Sequence, residues 1–407
     1  EEILRESAKN VEQNQKGVDI YLHIPFCQRL CTFCGCNIRV TSNPDEPHSY
    51  LNTLIHEIER VRSFFTQQKI PLNSLYIGGG SPNFLPVEEL ERLLEVLFSA
   101  FTPHDKFSGT MEADPNLNLE KFLPLLEKSQ IHRLSFGIQD THEKILANVN
   151  RYQSHERIRE IFSQLKGSPF ETNLDLIYGL PYQTPKSMER TMQEVVNLAP
   201  DQVAFYPLAP VPWQQKTQKA FGDFSPPSHR EKTELALIGQ EVLERSDYQL
   251  LGFGHFARQR SSLQRAFEAG TLCRTPMGYT EKRSDCLLSF GVSSISYSEN
   301  WLWQNEKILE KYLSRTQKQG ELPFLRAHHK TAWEIEKAKL FETISTQSFI
   351  QLKNYPHFFA IREEIEKRLQ PLIRDGLILY HPKATEIVIS HQGRSFLKTL
   401  CEIFDFE

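Results

Sequence analysis

Apolar residues along the chain follow two alternating periods. Ile20, Leu22 and Ile24 alternate with other neighbours and stop at Pro25, which predicts a short strand ending there. Leu51, Leu54, Ile55, Ile58, Val61, Phe64 and Phe65 then recur at helical spacing behind Ser49, a residue able to cap the helix. Leu75-Tyr76-Ile77 reads as the next strand, closed by Gly78-Gly79-Gly80-Ser81, and Leu90, Leu93, Leu94 and Leu97 give an amphipathic helix. The alternation continues with strands at Thr110 to Glu112, Arg133 to Ile138, Asn173 to Tyr178 and Gln202 to Tyr206. Helices fall near 118–128, up to about Leu165, near 185–198 and near 229–245. Six such βα units predict a parallel sheet covered by helices, which right-handed crossovers curl into an α/β barrel. Six strands instead of eight leave that barrel incomplete, with an open side suited to a large planar ligand.

Both ends depart from this pattern. Residues 1–17 are polar, with only Ile3, Leu4 and Val11 to bury, and read as a leading helix or arm. Residues 246–325, including Leu251-Gly252-Phe253-Gly254-His255-Phe256-Ala257-Arg258, are less regular and read as barrel-edge strands and connections. From about Ala327 helices take over, followed by a hairpin from Leu377-Ile378-Leu379-Tyr380 to Ile387-Val388-Ile389 and a last helix with Phe396 and Leu397. That order resembles a winged helix. The expected division is an arm at 1–17, a barrel domain with its edge extension at 18–325, and a mainly helical domain at 326–407. No internal repeat or low-complexity tract is evident beyond the βα alternation.

The 407 residues, 39% hydrophobic and 24% charged, are ordinary for a globular protein of about two domains. A net charge of −4 argues against a general polyanion binder, so the winged-helix segment is expected to cover the barrel, not to grip DNA. No apolar run approaches ~18 residues and no signal-peptide pattern opens the chain. Four of the seven cysteines crowd into Cys27 to Cys36, which fits a metal site in a reducing compartment, the cytoplasm, better than disulfides. Cys273, Cys286 and Cys401 are scattered and read as small buried hydrophobes.

Cys27, Cys31 and Cys34 lie on the loop leaving the first strand with spacing Cys-x3-Cys-x2-Cys. Three thiolates on one loop can converge on three corners of an iron–sulfur cube, leaving the fourth iron open to a chelating small molecule. Zinc is the competing reading, but structural zinc takes four closed ligands, and no second Cys-x2-Cys follows. Cys36 as a fourth ligand would strain a single tetrahedral metal. The glycine run follows a strand, so it shares the rim, where bare backbone lets a ligand approach its amides; a plain turn is the alternative. Glu112 before Asp114-Pro115 and Asp175 before Tyr178-Gly179-Leu180-Pro181 end strands and can face that rim, as ligand acceptors or as ion-paired carboxylates. Arg151 fits a carboxylate or the surface, Gln139 a ligand or a strand cap. Tyr21, His23 and Phe26 read as core residues or as walls that exclude water. His255 and Arg258 are candidates for holding acidic side chains of a substrate, with a structural role equally open.

Tyr21 to Phe26 followed by Cys27, Cys31 and Cys34 resembles the cluster motif of the radical S-adenosylmethionine enzymes. With Cys34-Gly35-Cys36-Asn37, Gly78-Gly79-Gly80, Asn173 to Pro181 and Gly291-Val292-Ser293 to Arg394, the chain is similar to the oxygen-independent coproporphyrinogen III oxidase (dehydrogenase) family over nearly its whole length. The resemblance implies a partial (β/α)6 TIM-like barrel, a [4Fe-4S] cluster on Cys27, Cys31 and Cys34, and two S-adenosylmethionine molecules. Positions matching the contacts of the first are Tyr21, Gly79, Glu112 and Ile295; its amino and carboxylate groups chelate the open iron. Positions matching those of the second are Phe33, Gly80, Ser81, Gln139, Arg151, Asp175 and Ala209. Cys36 is implied as a catalytic residue. The implied reaction converts two propionates of coproporphyrinogen III to vinyl groups, giving protoporphyrinogen IX in haem biosynthesis. It runs through a 5′-deoxyadenosyl radical, with flavodoxin or ferredoxin as one-electron donor to a cytoplasmic monomer. The alternatives are a haem chaperone on the same barrel, whose members generally lack a cysteine at the position of Cys36, an anaerobic haem-degrading radical enzyme, and a zinc-stabilised winged-helix regulator. Ser81 stands where threonine is usual, Met277 where glutamine is expected and Ile77 where an aromatic is expected; a leading segment of the family is expected ahead of Glu1.

Overall fold

The alternating run at Ile20 to Ile24 forms β1 (Val18–Ile24) in a computed structural model that describes residues 1–209, 227–282, 284–318 and 321–406. Parallel to β1 on one side lies β2 (Pro71–Gly79), followed by β3 (Thr102–Ala113), β4 (Arg133–Gln139) and β5 (Glu171–Tyr178), all parallel. On its other side β6 (Leu287–Phe290) is also parallel, and antiparallel β7 (Ile295–Tyr297), β8 (Trp301–Asn305) and β9 (Phe324–His329) extend the sheet. The segment after 283 thus adds strands beside β1.

Helices α1 (Glu2–Asn14), α2 (Asp45–Arg62), α3 (Val87–Ala100), α4 (Leu123–Lys128), α5 (Glu143–Asn148), α6 (His155–Leu165) and α7 (Pro185–Leu198) precede or link these strands. α2 starts earlier than Ser49: Asn43 Oδ1 accepts the Asp45 N–H at 3.0 Å, and Ser49 lies inside the helix, its carbonyl taking the Thr53 hydroxyl at 3.0 Å. Gly78 and Gly79 belong to β2, paired with His23 and Ile24, so the glycine run begins inside the strand.

The chain divides into two compact units that cut across the boundaries expected at 17/18 and 325/326. The first comprises Glu1–Asp201, Pro207–Val242 and Ser284–His329. α1 belongs to it because Leu4, Ala8 and Val11 are buried and Glu6 accepts from Asn300 Nδ2 and Trp301 Nε1, each at 2.8 Å. The unit runs to His329 because β9 pairs with β8 along its length. The second comprises Gln202–Tyr206, Leu243–Arg283 and Lys330–Glu407. In it, His255–Arg258 pairs antiparallel with both Gln202–Pro207 and Tyr248–Gly252. Leu340, Ile344, Ile365, Leu369, Ile387 and Phe404 form a core beneath a three-stranded antiparallel sheet centred on Glu386–Ile389. The expected hairpin, Ile378–His381 with Glu386–Ile389, gains Phe349–Gln351 as a third strand. Among the described residues no helix is long and apolar enough to cross a membrane.

Candidate functional site

Successive side chains in a strand point to opposite faces, so polar residues at every second position line one face. Here they are Tyr21 and His23, Tyr76 and Gly78, Thr110 and Glu112, Ser135 and Gly137, and Asn173 and Asp175. The register sets Tyr21, Tyr76 and Thr110 in one row, Glu112, Ser135 and Asn173 in another, and Gly137 beside Asp175.

His23 is the anchor of this face. A Cβ on Gly79, whose φ is +110°, would fall 2.5 Å from the His23 ring, and one on Gly291, φ +105°, would strike the Tyr50 hydroxyl and lie 2.9 Å from the His23 carbonyl. Burial pushes the ring down to about 4, so it is neutral. Nε2 lies 2.8 Å from the Asn37 carbonyl and must donate; Nδ1 therefore accepts the Tyr21 hydroxyl at 2.9 Å. This chain of bonds ties β1 to the far end of the cysteine loop.

The loop is held along its length. Phe26–Cys27 pairs in parallel with Arg39–Val40, Thr32 N–H bonds to Val149 O at 3.0 Å, and Asn150 Nδ2 to Leu30 O at 2.8 Å. Burial raises the Cys27 thiol to about 12, against a long contact of 3.9 Å from Ser81 Oγ. Burial also raises Cys31, and Arg151, whose Nη1 is 3.6 Å from Cys31 Sγ, opposes it. Cys36 is exposed as a residue, and its thiol beside that of Cys34 sets the two apart, Cys34 lowered and Cys36 raised by their interaction. Among the described residues no three His, Cys, Asp or Glu side chains close on one point for a single metal ion.

Glu112 accepts from the Tyr76 hydroxyl and the Gly79 N–H, each at 2.9 Å, and is pushed up to about 7 by burial and then by the charge of Asp175. Asp175 is pushed up to about 6 by burial, against bonds from Asn173 Nδ2 at 2.8 Å and Ser135 Oγ at 3.2 Å and the nearby charge of Arg151. Arg151 bonds to the Gly137 carbonyl, and the Gln139 amide nitrogen sits 2.8 Å from where a Gly137 Cβ would be. Gln139 holds φ +68°, an unusual turn for a residue with a Cβ, which folds its side chain back over the strand. Phe33 packs on Ile145, Val149, Leu180 and Leu208, and Ala209, next in the chain, is exposed. Ile295 is 42% exposed at the start of β7.

One expectation is corrected. The amides of Gly79, Gly80 and Ser81 are not open to a ligand: they donate to Glu112, Ile24 O at 2.7 Å and Phe26 O at 2.8 Å. Bare backbone is needed for the protein's own packing, since a Cβ on Gly80 would fall 2.5 Å from Phe26 O. In the second unit, His255 is buried, bonded to the Tyr206 hydroxyl and pushed down to about 3 by burial, so it is no cation for an acidic group; Arg258 stacks on Tyr248 at 5.8 Å.

Residues 21–195 match the radical SAM superfamily. Over 396 residues the chain is 32% identical to the oxygen-independent coproporphyrinogen III oxidase of Escherichia coli strain K12, covering 96% of this chain and 86% of that protein. The chain belongs to the oxygen-independent coproporphyrinogen III oxidase family. The Pseudomonas aeruginosa member is 32% identical over 402 residues, covering 95% of this chain and 85% of that protein. The solved structure of the Escherichia coli coproporphyrinogen III oxidase (HemN), described as a radical SAM enzyme, superposes with a TM-score of 0.90 at 30% identity over 98% of this chain and 92% of that one. The radical SAM α/β fold that the resemblance implied, and to which the βα alternation pointed as an α/β sheet, is the fold observed.

Membership implies a [4Fe-4S] cluster and S-adenosylmethionine, and the residues present fit both. Three free thiols on one loop, Cys27, Cys31 and Cys34, are the soft donor set of a cube, which takes one thiolate per iron corner. Two buried carboxylates, Glu112 raised by burial and by Asp175 and Asp175 raised by burial, suit a ligand bearing a sulfonium and an ammonium. Tyr76, Ser135 and Asn173, which hold those carboxylates, were not among the expected site residues. Their signal is polar residues at every second position of parallel strands that otherwise read as continuous apolar runs.

Proposed function

We propose that the chain decarboxylates two propionates of coproporphyrinogen III to vinyl groups without oxygen, giving protoporphyrinogen IX, at the rim built by β1 to β5. The observation that carries this reading is the pinned Cys27, Cys31 and Cys34 loop beside the Glu112 and Asp175 pair. When bound, the cluster and S-adenosylmethionine would supply a carbon-centred radical able to take hydrogen from the propionate β-carbon, and loss of CO2 would then pass one electron to an external one-electron acceptor. Cys27, Cys31 and Cys34 hold the cluster. Tyr21, Gly79, Glu112 and Ile295 hold one S-adenosylmethionine; Phe33, Gly80, Ser81, Gln139, Arg151, Asp175 and Ala209 hold a second. Glu112 and Asp175 offer acceptors to cationic groups, Arg151 and Gln139 offer donors to a carboxylate, and Phe33 with its apolar neighbours keeps water away. Cys36 is held by Cys34 at the edge of the group and acts in the reaction. A flavodoxin or ferredoxin supplies the electrons to a cytoplasmic monomer.

The test is anaerobic reconstitution and turnover with coproporphyrinogen III, S-adenosylmethionine and a reductant. Vinyl product with CO2 supports the reading. Tight haem binding without decarboxylation refutes it in favour of a haem carrier.

A further inference from the structure

Glu57 on α2 is a carboxyl group outside the site described so far, 1% exposed and accepting from three donors. Its Oε2 accepts the Gly291 N–H at 2.9 Å and the Tyr312 hydroxyl at 2.7 Å, and its Oε1 accepts Asn305 Nδ2 at 2.6 Å. The same Asn305 amide reaches Gly291 O at 2.9 Å and Ser294 Oγ at 3.1 Å. Two turns earlier on α2, fully buried Tyr50 donates to His23 O at 2.6 Å and accepts the Val292 N–H at 3.2 Å. α2 thus holds the turn Gly291 to Ser294 at two points.

The turn needs holding. Gly291 and Ser293 have φ of +105° and +62°, and the latter is costly for a residue with a Cβ. The turn leads directly into Ile295 at the start of β7, while Tyr50 ties it to the strand carrying Tyr21 and His23 into the cysteine loop. If stability alone were served, an apolar side chain would fill this space at less cost than a carboxyl group that burial pushes up to about 7.

We propose that Glu57 is a positioning residue for the S-adenosylmethionine pocket, fixing the Gly291 to Ser294 turn and with it Ile295 at the start of β7. This inference rests on the reading of Tyr21 and Ile295 as S-adenosylmethionine contacts.

The test uses the anaerobically reconstituted full chain and follows the electron paramagnetic resonance of the reduced cluster during titration with S-adenosylmethionine. Glu57→Gln sets an amide N–H against donors. It is expected to keep wild-type iron and sulfide and the unliganded spectrum, while the titration midpoint and the KM for S-adenosylmethionine rise roughly tenfold. Leu369→Ala, in the core of the second unit, is expected to lose stability and leave the midpoint unchanged. Wild-type titration by Glu57→Gln, or an equal shift in Leu369→Ala, overturns the proposal. If Glu57→Gln does not fold, Tyr312→Phe, which removes one of the donors, is expected to shift the midpoint the same way by a few-fold, and no shift overturns the proposal. Ile295→Ala separates the two readings: unchanged binding there refutes the pocket assignment, whereas weakened binding in Ile295→Ala with none in Glu57→Gln refutes this inference alone.

Discussion

Replacing Glu112 by glutamine should make the ligand-free chain more stable while weakening its hold on S-adenosylmethionine. Burial and the neighbouring Asp175 raise the Glu112 carboxyl from 4.5 to about 7, so ionising it in the folded chain costs about 3 kcal/mol at ~1.36 kcal/mol per pH unit. The sign follows from linkage: the unfolded chain loses this proton near 4.5 and the folded chain near 7, so stability falls as pH rises through that window. The full cost is present above 7 and absent below 4.5. Glutamine fits the same space, its oxygen accepting the Gly79 N–H and its amide donating to the Tyr76 oxygen. Glu112→Gln should therefore gain up to about 3 kcal/mol at pH 8 and almost nothing at pH 4.5. Calorimetry of the reduced, metal-free chain at the two pH values measures this. A difference independent of pH, or a less stable variant at pH 8, would falsify the account of Glu112. In the reconstituted chain the same variant should need more S-adenosylmethionine, because the charge facing its cationic groups is gone.

Four further outcomes are expected. In the reduced, metal-free chain at pH 7.5, iodoacetamide should label Cys34 before Cys27, and Cys36→Ala should slow Cys34 labelling by removing the neighbour that lowers it, with equal rates counting against that coupling. Reconstituted Cys36→Ala should keep wild-type iron, whereas Cys31→Ala should not. His23→Phe leaves the Tyr21 hydroxyl and Asn37 carbonyl unpaired, at about 1–3 kcal/mol each, and should lower iron per chain after reconstitution; unchanged iron and melting would contradict the anchoring role. Arg151→Met removes the cation beside Cys31 and Asp175 and should weaken S-adenosylmethionine roughly tenfold, which equilibrium dialysis would detect.

The strand at Ile20 to Ile24, its stop at Pro25 and the cysteine spacing after it were legible because each depends on local chemistry alone. Thr184 and Ser187, which cap α7, are equally local. The start of α2 was not legible because it lies at Pro44, which carries no capping side chain; only an Asn43 Oδ1 bond to the Asp45 N–H marks the turn ahead of it. Glu57 was present in the pattern: it follows Leu54 by three residues and precedes Val61 by four, on the stripe that faces inward. A carboxylate on such a stripe signals a buried partner set. The division into units was not legible, since Leu243–Arg283 joins Lys330–Glu407 across a stretch that returns to the first unit, a grouping set by contacts distant in sequence.

The correction at the glycine run changes what the site can recognise. With the amides of Gly79, Gly80 and Ser81 engaged by Glu112, Ile24 and Phe26, and the His23 ring neutral and bonded on both nitrogens, the first strands offer few free donors. What remains beside the cysteine loop is acceptor-rich: Glu112 and Asp175, each lifted by the other's proximity or by burial. Such a surface is costly when empty of positive charge and favourable when a sulfonium or ammonium arrives. Donors concentrate instead at Arg151 and Gln139, converging over Gly137. A ligand with cationic groups at one end and a carboxylate nearby can satisfy both halves at once. Arg151, close to both Cys31 and Asp175, ties the binding of that ligand to the electrostatics of the cysteine loop.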